Sequence, residues 1–187
     1  MNEIEVKAKL KDREGLLEQL KKLELEMRGE KYQKDVVFWP NDIKNTETHI
    51  LGRNFLRIRE QKQDEKKKII FTLKQPQTNQ TDCIEHEIEI QEKDTLELTS
   101  LIYALGFYKF VEIEKTRMTA KMGDTEICID DVTGLGSFIE LEKFGPAEKA
   151  EEIQNELYAL LESWGIQKEE YIYDGYDILV HKAQKKI

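Results

Sequence analysis

The chain has 187 residues, of which 39% are hydrophobic and 36% are charged. This length allows one domain with a substantial hydrophobic core, and we predict a single domain over residues 1–187. The 29 Lys and Arg residues against 38 Asp and Glu residues give a formal net charge of −9, which argues against nucleic acid or an anionic membrane surface as a partner. A small polyanion is not excluded, because a binding site responds to its local field.

The first residues already alternate between charged and apolar side chains, and no stretch approaches the roughly 18 apolar residues of a membrane-spanning helix. We therefore expect a cytoplasmic protein. The cysteines, Cys83 and Cys128, are too few for a disulfide framework or a zinc site, and we predict two buried thiols. The histidines, His49, His86 and His181, lack the spacing of metal ligands and are expected to be structural or exposed, with His86 on the apolar face of its strand.

The first half of the chain begins with a strand and a helix. Residues 3–10 alternate strictly between charged and apolar side chains, which predicts an amphipathic strand. Asp12 is suited to cap a following helix, in which apolar residues recur at helical spacing as far as Met27. The rest of this half is predicted as a strand from Gly29 to Trp39, a polar loop from Pro40 to Asn54, and a hairpin of two strands, Phe55 to Arg59 and Lys68 to Gln75.

The second half repeats this order. Residues 83–91 alternate again, and a helix follows that Asp94 and Glu97 would open as a capping box and Gly106 would end. Its apolar stripe of Leu98, Leu101, Ile102 and Leu105 is expected to face the core. Further predicted elements are strands at 107–121, 126–131 and 137–143, a helix from Pro146 to Gly165, and a Tyr-rich segment, 171–180, without a clear period.

The predicted strands number eight, in two pseudo-equivalent halves of one sheet. Eight strands can close into a barrel that holds side chains or one small ligand, and closure removes the exposed edges. The three predicted helices would cover the apolar outer faces, which turns the charged faces toward the barrel axis. The predicted fold class is therefore α+β, an eight-stranded antiparallel closed barrel with helices packed on the outside.

The charged strand faces contain few residue types, mainly Glu, Lys and Arg. The ordinary explanation for one strand with a polar face is a half-exposed sheet, but such a face mixes Ser, Thr and Gln with its charges. Buried charges of both signs are costly unless they are paired or liganded. Because Lys and Arg neutralise phosphate and carboxylates bind Mg²⁺ or Mn²⁺, the pattern predicts a polyphosphate site with a divalent cation. The sets are Glu3/Glu5/Lys7, Arg57/Arg59, Lys68/Lys74, Glu85/Glu87/Glu89, Lys115/Arg117 and Glu140/Glu142.

Short motifs also follow one another in a characteristic order. They are Glu3-Ile4-Glu5-Val6-Lys7, Arg57-Ile58-Arg59, Thr72-Leu73-Lys74, Glu87-Ile88-Glu89, Lys115-Thr116-Arg117, Asp130 to Gly136 and Ile139 to Glu142. The first looks like the ExExK signature, and the series resembles the CYTH or triphosphate tunnel metalloenzyme superfamily from about Glu3 to Val180. Gln33-Lys34-Asp35 with Phe38, and the segment Leu135 to Glu142, are similar to its class IV adenylyl cyclase branch.

The resemblance implies an eight-stranded triphosphate tunnel with Mg²⁺ or Mn²⁺. It implies triphosphate binding by Lys7, Arg57, Arg59, Lys74, Lys115 and Arg117, with Glu87 beside them. It implies metal binding by Glu3, Glu5, Glu140, Glu142 and Asp130, and catalytic roles for Glu5, Lys7, Lys115 and Asp130. Asp131 competes with Asp130 for its role, and Lys115 and Arg117 share their strand face with Val111 and Ile113, so we expect a bulge to aim them.

The leading functional hypothesis is an adenylyl cyclase that converts ATP into cyclic AMP and pyrophosphate. The alternative is a phosphohydrolase that acts on thiamine triphosphate or inorganic tripolyphosphate in the same tunnel. A third hypothesis is a non-catalytic sensor of a nucleotide or polyphosphate, against which the acidic set speaks because binding alone needs only the basic residues. The expected partner is thus a nucleoside triphosphate or another polyphosphate, and the resemblance also allows a homodimer.

Overall fold

A computed structural model describes residues 1–25, 27–43, 49–79 and 81–185. Residues 44–48 of the predicted polar loop lie outside the described residues. The elements are β1 (Asn2–Lys9), α1 (Arg13–Lys22), β2 (Arg28–Pro40), β3 (Phe55–Gln63), β4 (Lys66–Pro76), β5 (Asp82–Ile90), α2 (Thr95–Ala104), β6 (Phe107–Met122), β7 (Thr125–Val132), β8 (Gly136–Gly145), α3 (Ala150–Ser163), β9 (Tyr171–Ile172) and α4 (Tyr176–Gln184). No helix within these ranges is long and apolar enough to cross a membrane.

Eight strands close into an antiparallel barrel in the order β5-β4-β3-β2-β6-β7-β8-β1. The ring closes where β1 pairs with β5, with Glu3 opposite Cys83. Exchanging β1–β4 with β5–β8 maps this order onto itself, so the two halves of the sequence occupy equivalent halves of the barrel. The predicted closed barrel is confirmed. The short strand β9 pairs with the C-terminal end of β1, with Lys7 opposite Ile172, and was not predicted.

Helices cover much of the apolar outer face. Side chains such as Ile4 on β1 pack with α1 and α3, and Ile102 of α2 packs against β2, β3 and β4. Over β5 this cover is incomplete, so Ile88 is exposed, as is His86 beside it. The expectation that the whole apolar stripe of α2 faces the core is wrong for Leu101 and Leu105, which are also exposed because no element of the described residues packs over that side.

The helix ends follow the sequence in most cases. The Asp12 carboxylate accepts a hydrogen bond of 2.9 Å from the Gly15 N–H, and Gly106 follows α2 with a φ of +85°. The predicted capping box at Asp94 is wrong, because this residue already has helical backbone angles in a 3₁₀ turn and its side chain makes no capping bond. Helix α1 ends before Met27, since Glu24 has a φ of +57° that turns the chain.

Strands β2 and β6 pair without the bulge that was expected to aim Lys115 and Arg117. Their register is regular between Val37 and Lys31, and irregular only outside that range. Ile113, Lys115 and Arg117 therefore face the interior together without a bulge between them, which corrects the sequence-based expectation.

Candidate active site

A cavity of about 220 Å³ lies inside the barrel and is lined by seven strands. The charged faces of the strands therefore point inward, as the sequence predicted. All but one of the predicted site residues lie on its wall, and the exception is Asp130. Those on the wall are Glu3, Glu5, Lys7, Arg57, Arg59, Lys74, Glu87, Lys115, Arg117, Glu140 and Glu142.

The cavity is closed at one end and open at the other. An apolar cluster that includes Val111, Phe138 and Tyr176 fills the closed end, where α4 packs into the barrel. Side-chain exposure rises from 3% for Lys7, near Tyr176, through 17% for Glu5 to 47% for Glu87. Lys68 and Glu89, from the same strand faces, form an exposed ion pair beyond the open end. The exposure gradient defines a deep part and a mouth.

An acidic cluster lies between these two ends. Carboxylate oxygens of Glu3, Glu5 and Glu142 all lie within 4.8 Å of one another, and Glu5 is directly opposite Glu142 in the β1–β8 pairing. Burial and the neighbouring Glu85 raise the pKa of Glu3 to about 9. Oxygen ligands at this spacing fit a hard divalent cation such as Mg²⁺ or Mn²⁺, whose charge would relieve the repulsion.

Two other predicted metal ligands form ion pairs with basic side chains instead. Glu140 contacts Lys7 at 2.9 Å and also Arg117. Asp130 is fully buried, where it accepts hydrogen bonds of 2.7 and 2.6 Å from Arg117 and one of 2.8 Å from Lys115. Both carboxylates therefore anchor basic side chains of the cavity, and their metal-binding roles stay predictions.

The two deep lysines, Lys7 and Lys115, differ in the direction of their pKa shifts. Burial disfavours the Lys7 ammonium, but Glu140 and Glu5 outweigh it and leave the pKa of Lys7 above its ordinary value. Burial and the adjacent Arg117 hold the pKa of Lys115 below its ordinary value. Both groups are positioned to donate to an anion at the closed end.

Sequence reasoning missed several anchoring carboxylates. Asp35 accepts two hydrogen bonds, of 2.7 and 2.8 Å, from the Arg59 guanidinium directly opposite it in the β2–β3 pairing. Glu85 pairs with Lys74 in the same way across β4 and β5. The alternation placed Glu85 on an inward face and left the face of Asp35 unassigned. The partner of each carboxylate depends on strand register, which the pattern does not give.

The sequence of residues 1–176 matches the CYTH domain family. The chain belongs to the CYTH family. A protein of Methanocaldococcus jannaschii named "Putative adenylate cyclase" is 33% identical over 177 residues, which cover 94% of this chain and 97% of that protein. Members of the family act on triphosphate substrates and use divalent metals.

Two solved structures share the CYTH fold with this chain. The PH1819 protein of Pyrococcus horikoshii has a TM-score of 0.80 at 24% identity, with 96% of this chain and 99% of that chain covered. A Hippeastrum protein described as a "Putative adenylyl cyclase" with a dominant triphosphatase activity has a TM-score of 0.63 at 19% identity, with 98% and 96% covered. At these identities the likeness establishes the fold alone.

The C-terminal segment of this CYTH protein also reaches the cavity. Gly175, Tyr176 and Asp177 line its wall next to His49. His49 Nε2 lies 2.7 Å from Asp177 Oδ2, and Trp39 Nε1 donates to the same oxygen at 3.2 Å. Burial opposes ionisation of Asp177, but His49 outweighs it and lowers the pKa of Asp177 to about 2. These contacts fasten α4 to the segment that precedes β3.

The two cysteines have different surroundings. Cys128 is buried, as predicted, whereas Cys83 is half-buried because it lies on the cavity wall near the start of β5. Burial raises the pKa of Cys83 to about 12, so it is a neutral thiol at neutral pH.

Proposed function

We propose that this CYTH protein is an adenylyl cyclase that converts ATP into cyclic AMP and pyrophosphate. The observation that supports it is the order of charges along the barrel axis. Lys7 and Lys115 occupy the closed end, and the carboxylates of Glu3, Glu5 and Glu142 lie on their open side. Along β1 each step from Lys7 to Glu5 and then to Glu3 spans two residues, or about 6.6 Å.

This order of charges supports entry of ATP with its triphosphate first. An apolar cluster fills the closed end and the Lys7 and Lys115 ammonium groups lie there, so the triphosphate tail would lead and its β- and γ-phosphates would meet these lysines. The α-phosphate then lies beside the acidic cluster, with the ribose toward the mouth. A divalent cation held by these carboxylates would neutralise phosphate oxygens and make the α-phosphorus easier to attack.

The basic residues would complete the reaction geometry. Asp35 and Asp130 hold the guanidinium groups of Arg59 and Arg117 in place. These groups would orient the β- and γ-phosphates in line with the α-phosphorus. The oxygen of the ribose 3′-hydroxyl forms the new bond to that phosphorus as the bond to the bridging oxygen of the β-phosphate breaks, and the hydroxyl proton passes to an ionised carboxylate of the cavity wall. The pyrophosphate leaves with its negative charge stabilised by the deep cations, notably Lys7.

One observation also favours a second candidate, a triphosphatase. The acidic cluster lies next to the open end, where water has access, and inorganic tripolyphosphate would place a terminal phosphorus there. Attack by water at that position would release orthophosphate and leave pyrophosphate on the basic residues. The dominant triphosphatase activity described for the Hippeastrum protein agrees with this second reaction.

Product analysis separates the two candidates. Purified protein is incubated with ATP, thiamine triphosphate or tripolyphosphate and with Mg²⁺ or Mn²⁺, and products are resolved by anion-exchange chromatography. Cyclic AMP with equimolar pyrophosphate is the expected result from ATP, whereas ADP with orthophosphate would overturn attack at the α-phosphorus. Binding without any turnover would favour the sensor. Glu5→Gln should abolish turnover, and Glu114→Gln, on the outer face of β6, is the matched control.

A further inference from the structure

The ring of Tyr176 lies against two buried ammonium groups. Lys7 Nζ is 4.4 Å and Lys115 Nζ is 4.6 Å from the ring centroid. Tyr176 is the first residue of α4 and the last residue of the family match, so the rest of the helix lies beyond the segment by which the family is recognised. The contact therefore joins the C-terminal helix to the deepest cations of the cavity.

A ring is a physically suitable partner at this position. Two ammonium groups in one buried region repel each other, and each already has a carboxylate, Glu140 for Lys7 and Asp130 for Lys115. A further carboxylate would cancel positive charge that a phosphate needs. An aromatic face attracts cations most strongly where water is excluded, and it leaves their charge and their N–H donors available.

The ring itself is held in place. It packs edge-on against Phe138 with centroids 5.3 Å apart. The turn before α4 is tied to the same region, because Lys7 Nζ donates to the Asp174 carbonyl oxygen at 3.4 Å and Lys182 donates to the Asp174 carboxylate at 2.8 Å. Phe138 and the Lys182–Asp174 ion pair thus hold the ring position independently of Lys7 and Lys115.

We propose that Tyr176 is a positioning residue, whose ring holds the ammonium groups of Lys7 and Lys115 at the closed end so that both donate to the distal phosphates of the substrate. The phosphate part rests on the proposed function, whereas the contact of ring and lysines does not. The ring face makes both lysine contacts, so phenylalanine is expected to replace tyrosine.

The binding test compares Tyr176→Phe with Tyr176→Leu. The ligand is α,β-methylene-ATP with Mg²⁺, whose bridging carbon prevents departure of pyrophosphate, and affinity is measured by calorimetry. We expect the Phe variant to bind within about twofold of wild type and the Leu variant about tenfold more weakly, since the ring attraction is then lost. Tyr173→Leu is the matched control, because Tyr173 is 62% exposed in the same segment. Equal affinity of the Leu variant and wild type, or a Phe variant as weak as Leu, overturns the proposal.

A second measurement does not need the Leu variant to fold. Aromatic ring currents should move the ε-methylene proton signals of two lysines upfield in the NMR spectra of wild type and Tyr176→Phe. Absence of upfield shifts in the assigned signals of Lys7 and Lys115 overturns the proposal whatever the ligand result. If wild type binds no α,β-methylene-ATP while these signals are shifted, the proposed function fails and the lysine contact stands.

Discussion

Replacement of Asp130 by Asn separates two roles for one buried carboxylate. Asp130 is fully buried between Lys115 and Arg117, with contacts of 2.6 to 2.8 Å to both. Asn keeps the size of the side chain and removes its charge. Lys115 then loses its carboxylate partner, whereas Arg117 still contacts Glu140 and Glu142.

The expected loss in the free energy of unfolding depends on which basic side chains keep a carboxylate partner. Removing one partner of a buried ion pair costs about 3–5 kcal/mol, because the remaining charge stays buried without compensation. We expect the lower value, about 3 kcal/mol, since Arg117 keeps two other carboxylates. For a chain of this length that loss lowers the melting temperature by about 6–12 °C. A bound triphosphate supplies new negative charge, so it should stabilise Asp130→Asn more than it stabilises wild type.

The assay is urea denaturation with and without Mg²⁺ and α,β-methylene-ATP, together with a Mg²⁺ titration of each folded protein. Asp130→Asn should retain Mg²⁺ affinity, whereas Glu142→Gln should lose it. Asp131→Asn is the matched control, because Asp131 is more exposed and its ion pair with Arg13 is worth about 1 kcal/mol or less. An Asp130→Asn variant as stable as wild type, or one that loses Mg²⁺ affinity as completely as Glu142→Gln, would refute the anchoring role.

Three further predictions concern the mouth and the C-terminal helix. Arg57→Ala should lower kcat/KM about 100-fold, because a cation that stabilises the phosphates is lost. The melting temperature should change little, since Arg57 donates to Glu87 in the open part of the cavity, and unfolding of the variant would contradict this. Gly175→Ala should lower the free energy of unfolding by about 1–3 kcal/mol, since the added Cβ would lie 2.5 Å from Asp177 Oδ1 and 3.2 Å from His49 Cε1. Urea denaturation measures this loss, and an unchanged denaturation curve would contradict the prediction. The pKa of Asp177 is about 2 in the folded protein against an ordinary 3.8, so its contribution of about 2 kcal/mol is present above pH 4 and lost as the pH falls toward 2. The stability difference between wild type and Asp177→Asn should therefore narrow between pH 4 and pH 2, and a constant difference over that range would count against this prediction.

The barrel could be predicted because a charged face alternates with an apolar face in most of the strands that build the cavity. On β1, Glu3, Glu5 and Lys7 face inward while Ile4 and Val6 are fully buried under the helices, as the two-residue period requires. The period assigns a side to each residue. It therefore identified most of the cavity wall before any contact was known.

Pairing within the cavity could not be predicted in the same way. Lys7 is opposite Glu140 and Glu5 is opposite Glu142 because β1 and β8 adopt one particular register. A shift of two residues would keep every side chain inward and change each partner. The distinction between the acidic cluster and the anchoring carboxylates depends on that register.

The C-terminal helix was missed for a different reason. Helix α3 shows a clear apolar stripe because it lies along the outside of the barrel. Helix α4 instead inserts its first turn into the barrel end, so Tyr176 and Asp177 face the cavity while Ile178 and Val180 pack in the apolar cluster. Burial on several sides leaves no single stripe, and the segment has no readable period.

The charges that line the cavity make cation and triphosphate binding interdependent. Among the described residues, eight carboxyl groups and six Lys or Arg side chains form its wall. Even with Glu3 protonated at neutral pH, as its pKa of about 9 implies, the wall has no excess of positive charge for a polyanion. A divalent cation at Glu3, Glu5 and Glu142 reverses that balance, and the triphosphate in turn strengthens the cation site, because linkage is reciprocal. The triphosphate should therefore bind more weakly in EDTA than with Mg²⁺, and the loss should be smaller in Glu142→Gln, whose cation site is already impaired.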